Sequence, residues 1–449
     1  MSEAERVVLD ALSAAAGGHA VLAGAEDIVD GVCAAVVAAP GTTAEAAAVL
    51  RVAAEHGLAV VGRGTGTKLG WGAPPSRADV IIDTGRLNRV LDHGAGDLIV
   101  QVEAGVRLDT LRERLAPAGQ RLALDPLLPP GTVPGAVGGP VSGGPASDPA
   151  SGPASGPVSG TVGGTIATAV SGPLRLSHGA VRDLLIGVTM VRADGVVAKA
   201  GGKVVKNVAG YDLSKLLTGS WGTLGLITEA VFRLHPLPAL ARWVTVPLDP
   251  AASASAHELV QRVLHSQMVP TALELDWRHG ETARLAVLVE GIPEGVSGRV
   301  EVLLDLFGES AEVAETAPEW WGHAPWGAGD VAVRLTHEIA GLPKLLDAVE
   351  GLARRHGLRV AVRGSAGVGL MYAAVPGDAD PGAVAAMVGA LRAEASAWSG
   401  DVVVLDGPPA VKAAVEMWGP VRGLGLMRRV KDQFDPEHRL APGRFAGGI

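Results

Sequence analysis

The stretch GRGTGTKLGWGAPP, Gly62 to Pro75, follows the strand-like run LAVVG (58–62) and decides which nucleotide folds this chain has room for. Gly62, Gly64, Gly66 and Gly70 invite a dinucleotide-binding βαβ reading. Asp83, 21 residues on at the end of the next strand VIID (80–83), even stands where a ribose-binding acid would. That fold needs a helix directly after the glycines, so that its N-terminus meets the pyrophosphate. Gly70, Gly72, Pro74 and Pro75 forbid one. A Walker A loop is excluded too, because Lys68 is preceded by Thr67 and Lys203 is followed by Val204. What remains is a glycine loop whose exposed N–H groups form an anion nest without a helix, with Arg63 and Lys68 supplying nearby positive charge.

Outward from this loop, AAVVAAP (34–40) reads as a strand, and Thr42-x-x-Glu45 as a capping box. The helix it opens carries Ala46, Val49, Leu50 and Ala53 at helical spacing and closes at Gly57. LIVQVEAG (98–105) is a strand and Leu108 to Leu115 a helix; DLLIGVTMV (183–191) and VVAKA (196–200) are strands around the turn Ala193-Asp194-Gly195. Two more glycine clusters lie downstream, Gly163-Gly164 with Ser171-Gly172, then Gly219, Gly222 and Gly225. Three separated clusters in one half of a chain point to a backbone wrapped around one extended ligand. From about 241 to 425, helices at 253–267, 341–356 and 381–398 alternate with strands at 271–276, 283–290, 330–336, 358–363 and 401–406. That pattern predicts an α+β domain with helices on one side of an antiparallel sheet.

Residues 129–160 differ from everything around them: nine Gly, eight Pro and five Ser, with Asp148 the only charge. They contain the tetrapeptide series GPVS, GPAS, DPAS, GPAS, GPVS. Such a run has too little apolar surface to offset its ordering entropy and reads as a flexible insertion with no part in the chemistry. It also explains part of the composition, in which 62 Gly and 30 Pro stand among 449 residues. The net charge of −9 excludes nucleic-acid binding as the main activity, since neutralising phosphates needs a basic face. The single cysteine, Cys33, excludes a disulfide framework and any Cys-based zinc or iron–sulfur site. The start MSEAERVVLD is acidic, and no apolar run approaches the ~18 residues of a membrane span, so a soluble, cytoplasmic protein with no membrane span is expected.

Four stretches together carry a resemblance: GRGTGTKLGWG, RLNRVLDHGAGDLIVQVEAGVRLDTLRERLAPAGQRLALDP, TVGGTIATAVSGPLRLSHGAVRDLLIG and GGKVVKNVAGYDLSKLLTGSWGTLGLITEAVFRLHPLP. They resemble the FAD-binding domain of the vanillyl-alcohol oxidase / p-cresol methylhydroxylase superfamily and, within it, the small FAD-binding subunit of bacterial glycolate oxidases. The likeness covers about 35–240, the middle of the chain being only loosely similar. RRVKDQFDPEHRLAPGR (428–444) resembles the family's C-terminal return to the flavin domain.

The resemblance implies an α+β fold in four parts. Residues 1–34 are a helix and lead-in, and 35–240 a two-lobed FAD-binding domain interrupted by 129–160. Residues 241–425 form an α+β, ferredoxin-like cap, and 426–449 a tail packed on the FAD domain. It gives Arg63, Gly64, Thr65, Gly66 and Thr67 the FAD pyrophosphate. Asp125, Pro126, Thr161, Gly163, Gly164, Ala167, Ser171 and Gly172 would line the diphosphate and isoalloxazine path. Gly222, Gly225 and Ile227 would approach the adenosine end, and Gly443 and Arg444 would cover the flavin from the tail. Many superfamily members carry Asn before that Pro-Gly, where this chain has Ala441. Covalent relatives place a His in or after the first glycine loop, or a Cys near the ring. Here Thr67 stands in the loop and Cys33 lies in an early strand, so the FAD is expected to be non-covalent.

Oxidation of a 2-hydroxy acid needs a hydride acceptor, a base for the hydroxyl proton and a cation for the carboxylate. The metal motif of the larger catalytic subunits is absent, and His257, His265, His279, His323, His337 and His356 are scattered, so no metal site is expected. Arg363, in RGSAGVG (363–369), is the candidate for the carboxylate; a tight hairpin with a solvated Arg is the other reading of that segment. Tyr211 and Lys206 read as packing residues, and Trp320, Trp321 and Trp326 as cap core or as the roof of a flavin site. Three functions stay open. The first is a subunit of a glycolate-oxidase-like dehydrogenase acting on a small 2-hydroxy acid such as glycolate, assisting a larger flavoprotein subunit and an iron–sulfur subunit. The others are an electron-relay or scaffold subunit without its own substrate, and a stand-alone FAD dehydrogenase of another hydroxy acid or alcohol.

Overall fold

Three sheets of four or more strands organise the computed structural model, which describes residues 2–128, 159–203, 212–249 and 253–449. The Gly/Pro/Ser run lies outside the described residues except for Ser159 and Gly160, and so do Lys206 and Tyr211.

The first sheet orders Ala20–Leu22, Val36–Ala38, Val80–Asp83 and Val60–Arg63, the last three running parallel. Two helices, Glu3–Ala15 and Thr43–Glu55, pack together beside it. The second helix starts as its sequence predicts, with the Thr42 hydroxyl accepting from the Glu45 N–H at 3.1 Å. The Glu45 carboxylate reaches back to the Gly41 N–H at 2.6 Å. The second sheet is antiparallel, in the order Val197–Gly201, Leu185–Val191, Leu226–Arg233, Ile99–Glu103, Val90–Gly94.

The third sheet has eight antiparallel strands, each half running strand–helix–strand–strand–helix–strand. Leu240–Leu248, Ala272–Arg278, Ala283–Gly291 and Glu312–Ala314 form one half; Val331–Thr336, Ala361–Ser365, Leu370–Val375 and Asp401–Asp406 form the other. The halves join along the pairing of Ala272–Arg278 with Ala361–Ser365. Helices Ser253–His265, Pro293–Phe307, Leu342–His356 and Pro381–Ala395 accompany them.

Side chains alternate across a strand, and here the alternation separates two chemistries. Leu273, Leu275, Leu285, Val287, Val333, Leu335, Val362 and Met371 join the apolar core shared with the helices. Glu274, Asp276, Glu290, Arg334, Arg363, Ser365 and Tyr372 point the other way. Contacts from Glu290 to Arg121, and from Tyr372 to Ser171, show that this polar face meets the N-terminal half of the chain. A sheet covered on both sides rarely carries so many polar groups on one of them.

The chain end returns to the first sheet. The Val60 N–H donates to the Arg439 carbonyl at 2.8 Å, and the Ala441 N–H donates to the Val60 carbonyl at 2.8 Å, adding an edge to that sheet. Helix Leu424–Phe434 delivers this tail through Lys431, which is fully buried together with Asp435. The Lys431 ammonium donates to Asp435 Oδ2 at 2.7 Å, the Thr223 carbonyl at 2.8 Å and the Leu440 carbonyl at 2.9 Å. Its three protons therefore meet three acceptors. Among the described residues no helix is long and apolar enough to cross a membrane.

Removing one partner of a buried pair leaves the other charge uncompensated, at a cost of about 3–5 kcal/mol. Lys431→Met is therefore expected to lower the thermal unfolding midpoint and to expose the last 20 or so residues to protease first. A melting curve and cleavage pattern identical to those of the unmodified protein would show that the pair does not anchor the tail.

Candidate active site

The glycine loop of 62–75, the second glycine cluster and the third line one cleft enclosing about 620 Å³ of open space, part of it continuous with solvent. Its walls include Arg63 to Leu69, Thr161, Gly164, Ala167, Thr168, Trp221, Gly222, Ala441 and Arg444. Backbone hydrogen bonds join the second and third clusters, Gly219 N–H donating to the Ile166 carbonyl and Trp221 N–H to the Ala167 carbonyl, each at 2.9 Å, and the Thr65 hydroxyl ties the first loop to the Ser159 carbonyl at 3.0 Å. Thr161 caps the short helix Val162–Thr168, accepting from the Gly164 N–H at 3.2 Å. A Cβ on Gly64 would lie 2.3 Å from the Thr161 hydroxyl, so only glycine lets the loop approach this closely. Gly66 has φ +77° and faces open space.

The tail closes the cleft. The Arg444 guanidinium donates to the Leu69 and Trp71 carbonyls at 2.6 and 2.5 Å, and burial pushes its pKa down to about 10. Two non-glycine residues in the wall, Trp221 at φ +57° and Ala441 at φ +44°, are held in the left-handed region, which costs a side-chain-bearing residue roughly 1–2 kcal/mol. Backbone strain of this kind concentrates at functional sites.

Electrostatics reassigns one residue. Arg63 lines the cleft, but its guanidinium is held by Asp27 at 2.6 Å and Asp83 at 2.9 Å. Asp83, which mimics a ribose acid in the sequence, is an arginine partner instead. Lys68 makes no ion pair among the described residues, and burial pushes its pKa down to about 8; like Arg444 it is a cation of the wall left for an anion.

Other expected residues fall elsewhere. Gly163 packs on Ala104, and Gly225 packs on Met190 and Val191, with Ile227 buried in the neighbouring sheet core. Gly172 touches Asp125: a Cβ on it would meet the Asp125 carbonyl oxygen at 1.8 Å. Ser171, Gly172, Asp125 and Pro126 thus lie beyond the cleft wall, under the polar face of the eight-stranded sheet. Arg363 is taken up by other groups. Its Nε and Nη2 are each 2.7 Å from Asp276 Oδ1, its Nη1 donates to the His323 and Ala324 carbonyls, and the Trp320 ring lies 5.7 Å away. Trp326 bridges the two regions, edge-on to Trp71 at 6.1 Å and to Tyr372 at 5.8 Å.

Along this face, strand register sets Asp276, Arg363, Tyr372 and Arg334 in one row and Glu274, Ser365, Leu370 and Thr336 in the next. The Tyr372 hydroxyl donates to the Ser171 carbonyl at 3.4 Å. Arg334 makes no hydrogen bond or ion pair among the described residues; it feels Tyr372, Asp401 and Arg175, and burial draws its pKa below the usual arginine value. At one edge Arg121 forms a buried ion pair with Glu290 at 2.6 Å and donates to His178 Nε2 at 3.2 Å. His178 is pushed down to about 4, by burial first and Arg121 second, and stays neutral. No motif in the sequence marks this face. ALELDWR (272–278) carries the signal, since Glu274 and Asp276 alternate with Leu273, Leu275 and Trp277.

Comparison with known proteins decides the cofactor. Residues 34–150 match the family model of an FAD-binding domain. The chain is 27% identical to an FAD-linked oxidoreductase of Mycobacterium tuberculosis over 91% of this chain and 90% of that protein. It is 26% identical to glycolate oxidase subunit GlcD of Bacillus subtilis, over 91% of this chain and 88% of that one. The protein is an FAD-dependent oxidoreductase. Its fold is that of p-cresol methylhydroxylase, a solved structure with a TM-score of 0.72 at 16% identity, covering 99% of this chain and 97% of that one. The residues present fit FAD. A glycine cradle that a Cβ at residue 64 would fill and a Lys68 with no ion pair among the described residues both suit a phosphate-bearing ligand.

Loss of a charged hydrogen bond costs about 1.5–3 kcal/mol, or roughly 10–100-fold in affinity. Lys68→Ala is expected to weaken FAD binding to the flavin-free protein by that factor. In the unmodified protein, affinity should fall as pH rises through about 8, because the ammonium and not the amine holds the anion. Fluorescence titration with FAD checks both; equal affinity in the variant, and no change across that pH range, would remove Lys68 from the site.

Proposed function

We propose that this flavoprotein oxidises a small 2-hydroxy acid in a chamber between the cleft and the polar face of the eight-stranded sheet. The observation that carries the reading is Arg334, a partly buried guanidinium with no ion-pair partner among the described residues, within electrostatic reach of the Tyr372 hydroxyl and Arg175. An arginine fork matches a carboxylate by two parallel hydrogen bonds and stays charged when buried. Leaving it unpaired would be costly unless a ligand supplies the anion. The similarity to a glycolate oxidase subunit supports the same substrate class.

In this reading the chain divides as its sequence implies. A two-lobed FAD-binding unit spans 35–240, a cap of two ferredoxin-like halves spans 241–425, and the tail spans 426–449. Lys68 and the N–H groups of residues 64–67 hold the FAD diphosphate, and Ala167 and Trp221 flank the cofactor. The bound FAD supplies the hydride acceptor. Arg334 and Arg175 hold the substrate carboxylate, Tyr372 orients it, and Trp326 with Tyr372 excludes water. The FAD is non-covalent: among the described residues no His or Cys lines the cleft, and Cys33 lies exposed in the strand Val32–Cys33. With one cysteine and no group of metal-binding side chains among the described residues, electrons leave to partners. These are a larger flavoprotein subunit and an iron–sulfur subunit, in the cytoplasm.

Anaerobic mixing of the FAD-loaded protein with glycolate, lactate and 2-hydroxyglutarate is expected to bleach the flavin band with at least one of them. Arg334→Met should lower the second-order rate of that reduction about 10–100-fold, mostly through KM. Flavin that no acid bleaches, yet that a partner flavoprotein reduces, would replace this reading with an electron relay. Acid precipitation should leave the flavin in the supernatant.

A further inference from the structure

Two carboxyl groups on the polar face are not consumed by any ion pair. Glu274, on strand Ala272–Arg278, is 2% exposed, and its Oε1 has no hydrogen-bond partner among the described residues. Asp125, at the end of LALDP, lies close enough for its charge to act on Glu274. Its Oδ2 accepts from the Leu174 N–H at 2.9 Å, which fixes the carboxyl against Gly172. Around the pair, the hydroxyls of Ser171 and Ser365 are buried and likewise without partners among the described residues. An isolated unsatisfied polar group costs about 1–3 kcal/mol, and three facing one seam mark a place built for a polar ligand. They lie at the same polar face as Arg334 and Tyr372, where the reading above places the substrate, so the inference rests on that reading.

We propose that Asp125 is the base that takes the proton of the substrate hydroxyl, with Glu274 as the positioning residue that shares that proton. Bound FAD would supply the acceptor for the hydride that leaves as the substrate C–H bond breaks with its electron pair. The O–H bond breaks with its proton passing to Asp125. The carbon–oxygen double bond of a 2-oxo acid forms, and the proton leaves to solvent before the next turnover.

Two like charges in one buried site cannot both ionise, so the environments separate their roles. Burial pushes Asp125 up to about 7, opposed by the Leu174 N–H and by Arg121, with Glu290 adding to the rise. Glu274 is raised well above the usual carboxylate range by burial and then by Asp125, with Ser365 and Arg363 pulling the other way. Glu274 thus stays protonated near neutrality while Asp125 is poised to accept. The other charged and titratable groups facing the pair are Arg334, Arg175 and Tyr372, whose phenol is raised by burial.

The test uses the FAD-loaded full chain and two readouts. The first is the rate of anaerobic flavin reduction against pH, with whichever of glycolate, lactate and 2-hydroxyglutarate reduces the unmodified protein fastest. The rate is expected to rise through about pH 7. Asp125→Asn should retain bound flavin and lose about 10²–10⁴-fold in the reduction rate, with the pH rise abolished. Glu274→Gln should keep most of the rate and leave the rise where it is, because glutamine, like a protonated Glu274, is uncharged and can donate to Asp125, whereas Glu274→Ala should move the rise to higher pH by removing that donor. The second readout is the infrared carboxyl C=O band of the flavin-free protein, which should titrate near neutrality and vanish in Asp125→Asn. Reduction undiminished in Asp125→Asn, or no carboxyl titrating in that range, would overturn the base while leaving the substrate reading intact. Flavin that no hydroxy acid reduces would overturn both.

Discussion

Arg444 holds the glycine loop in the shape the cleft needs. A loop of glycines has no side chains to lock it and loses more conformational entropy on ordering than any other. Its conformation must therefore be imposed from outside. The tail does this by hydrogen bonds, Arg444 onto the Leu69 and Trp71 carbonyls, the Ser76 N–H onto Pro442, and the Ala441 N–H onto Val60, and by the packing of Leu440 and Phe445. The eight-stranded sheet adds the Leu405 carbonyl for the Gly72 N–H, and a buried Lys412 spans Asp30, Asp406 and the Gly70 carbonyl. The tail is anchored in turn by Lys431. The cofactor cleft thus depends on residues nearly 400 positions apart in the chain.

The second constraint is the placement of polar groups on a sheet buried on both sides. On the helix side the alternation is apolar except for Arg242, which pairs with the exposed Glu315 near the sheet edge. On the other side, the seam between the two halves of the sheet carries carboxyls, guanidinium groups and hydroxyls. Some are satisfied in pairs, as Arg363 with Asp276 and Arg121 with Glu290 are, and these hold the surface in shape. Arg334, Glu274, Ser171 and Ser365 are not, and it is this contrast within one surface that separates scaffold from site.

Much of the fold was legible because its signals are local. The capping box at Thr42, the helix Leu108–Leu115 and the strands VIID and LIVQVEAG appear where period and turn chemistry put them. The strands Leu240–Leu248 and Leu370–Val375 escaped notice because both are almost continuously apolar, and a buried strand of that kind lacks the alternation that betrays a half-exposed one. The helix Pro293–Phe307 was masked by Gly295 and Gly298. Within the site, the three glycine clusters converge because close backbone approach has a sequence signature. The charges do not: Arg63 owes its occupation to Asp27 and Asp83, and Arg363 owes its own to Asp276, pairings that only the folded chain brings about. Lys68, five residues from Arg63, is left available by the same accident of neighbours.

A structure of the FAD-loaded protein with oxalate, a non-oxidisable dicarboxylate analogue of a small 2-hydroxy acid, tests this account most directly. The account predicts the FAD diphosphate on residues 64–68, one oxalate carboxylate on Arg334, and the other end within hydrogen-bond distance of Asp125. Oxalate bound away from the polar face, with Arg334 turned to a protein carboxylate and Asp125 packed out of reach, would contradict it.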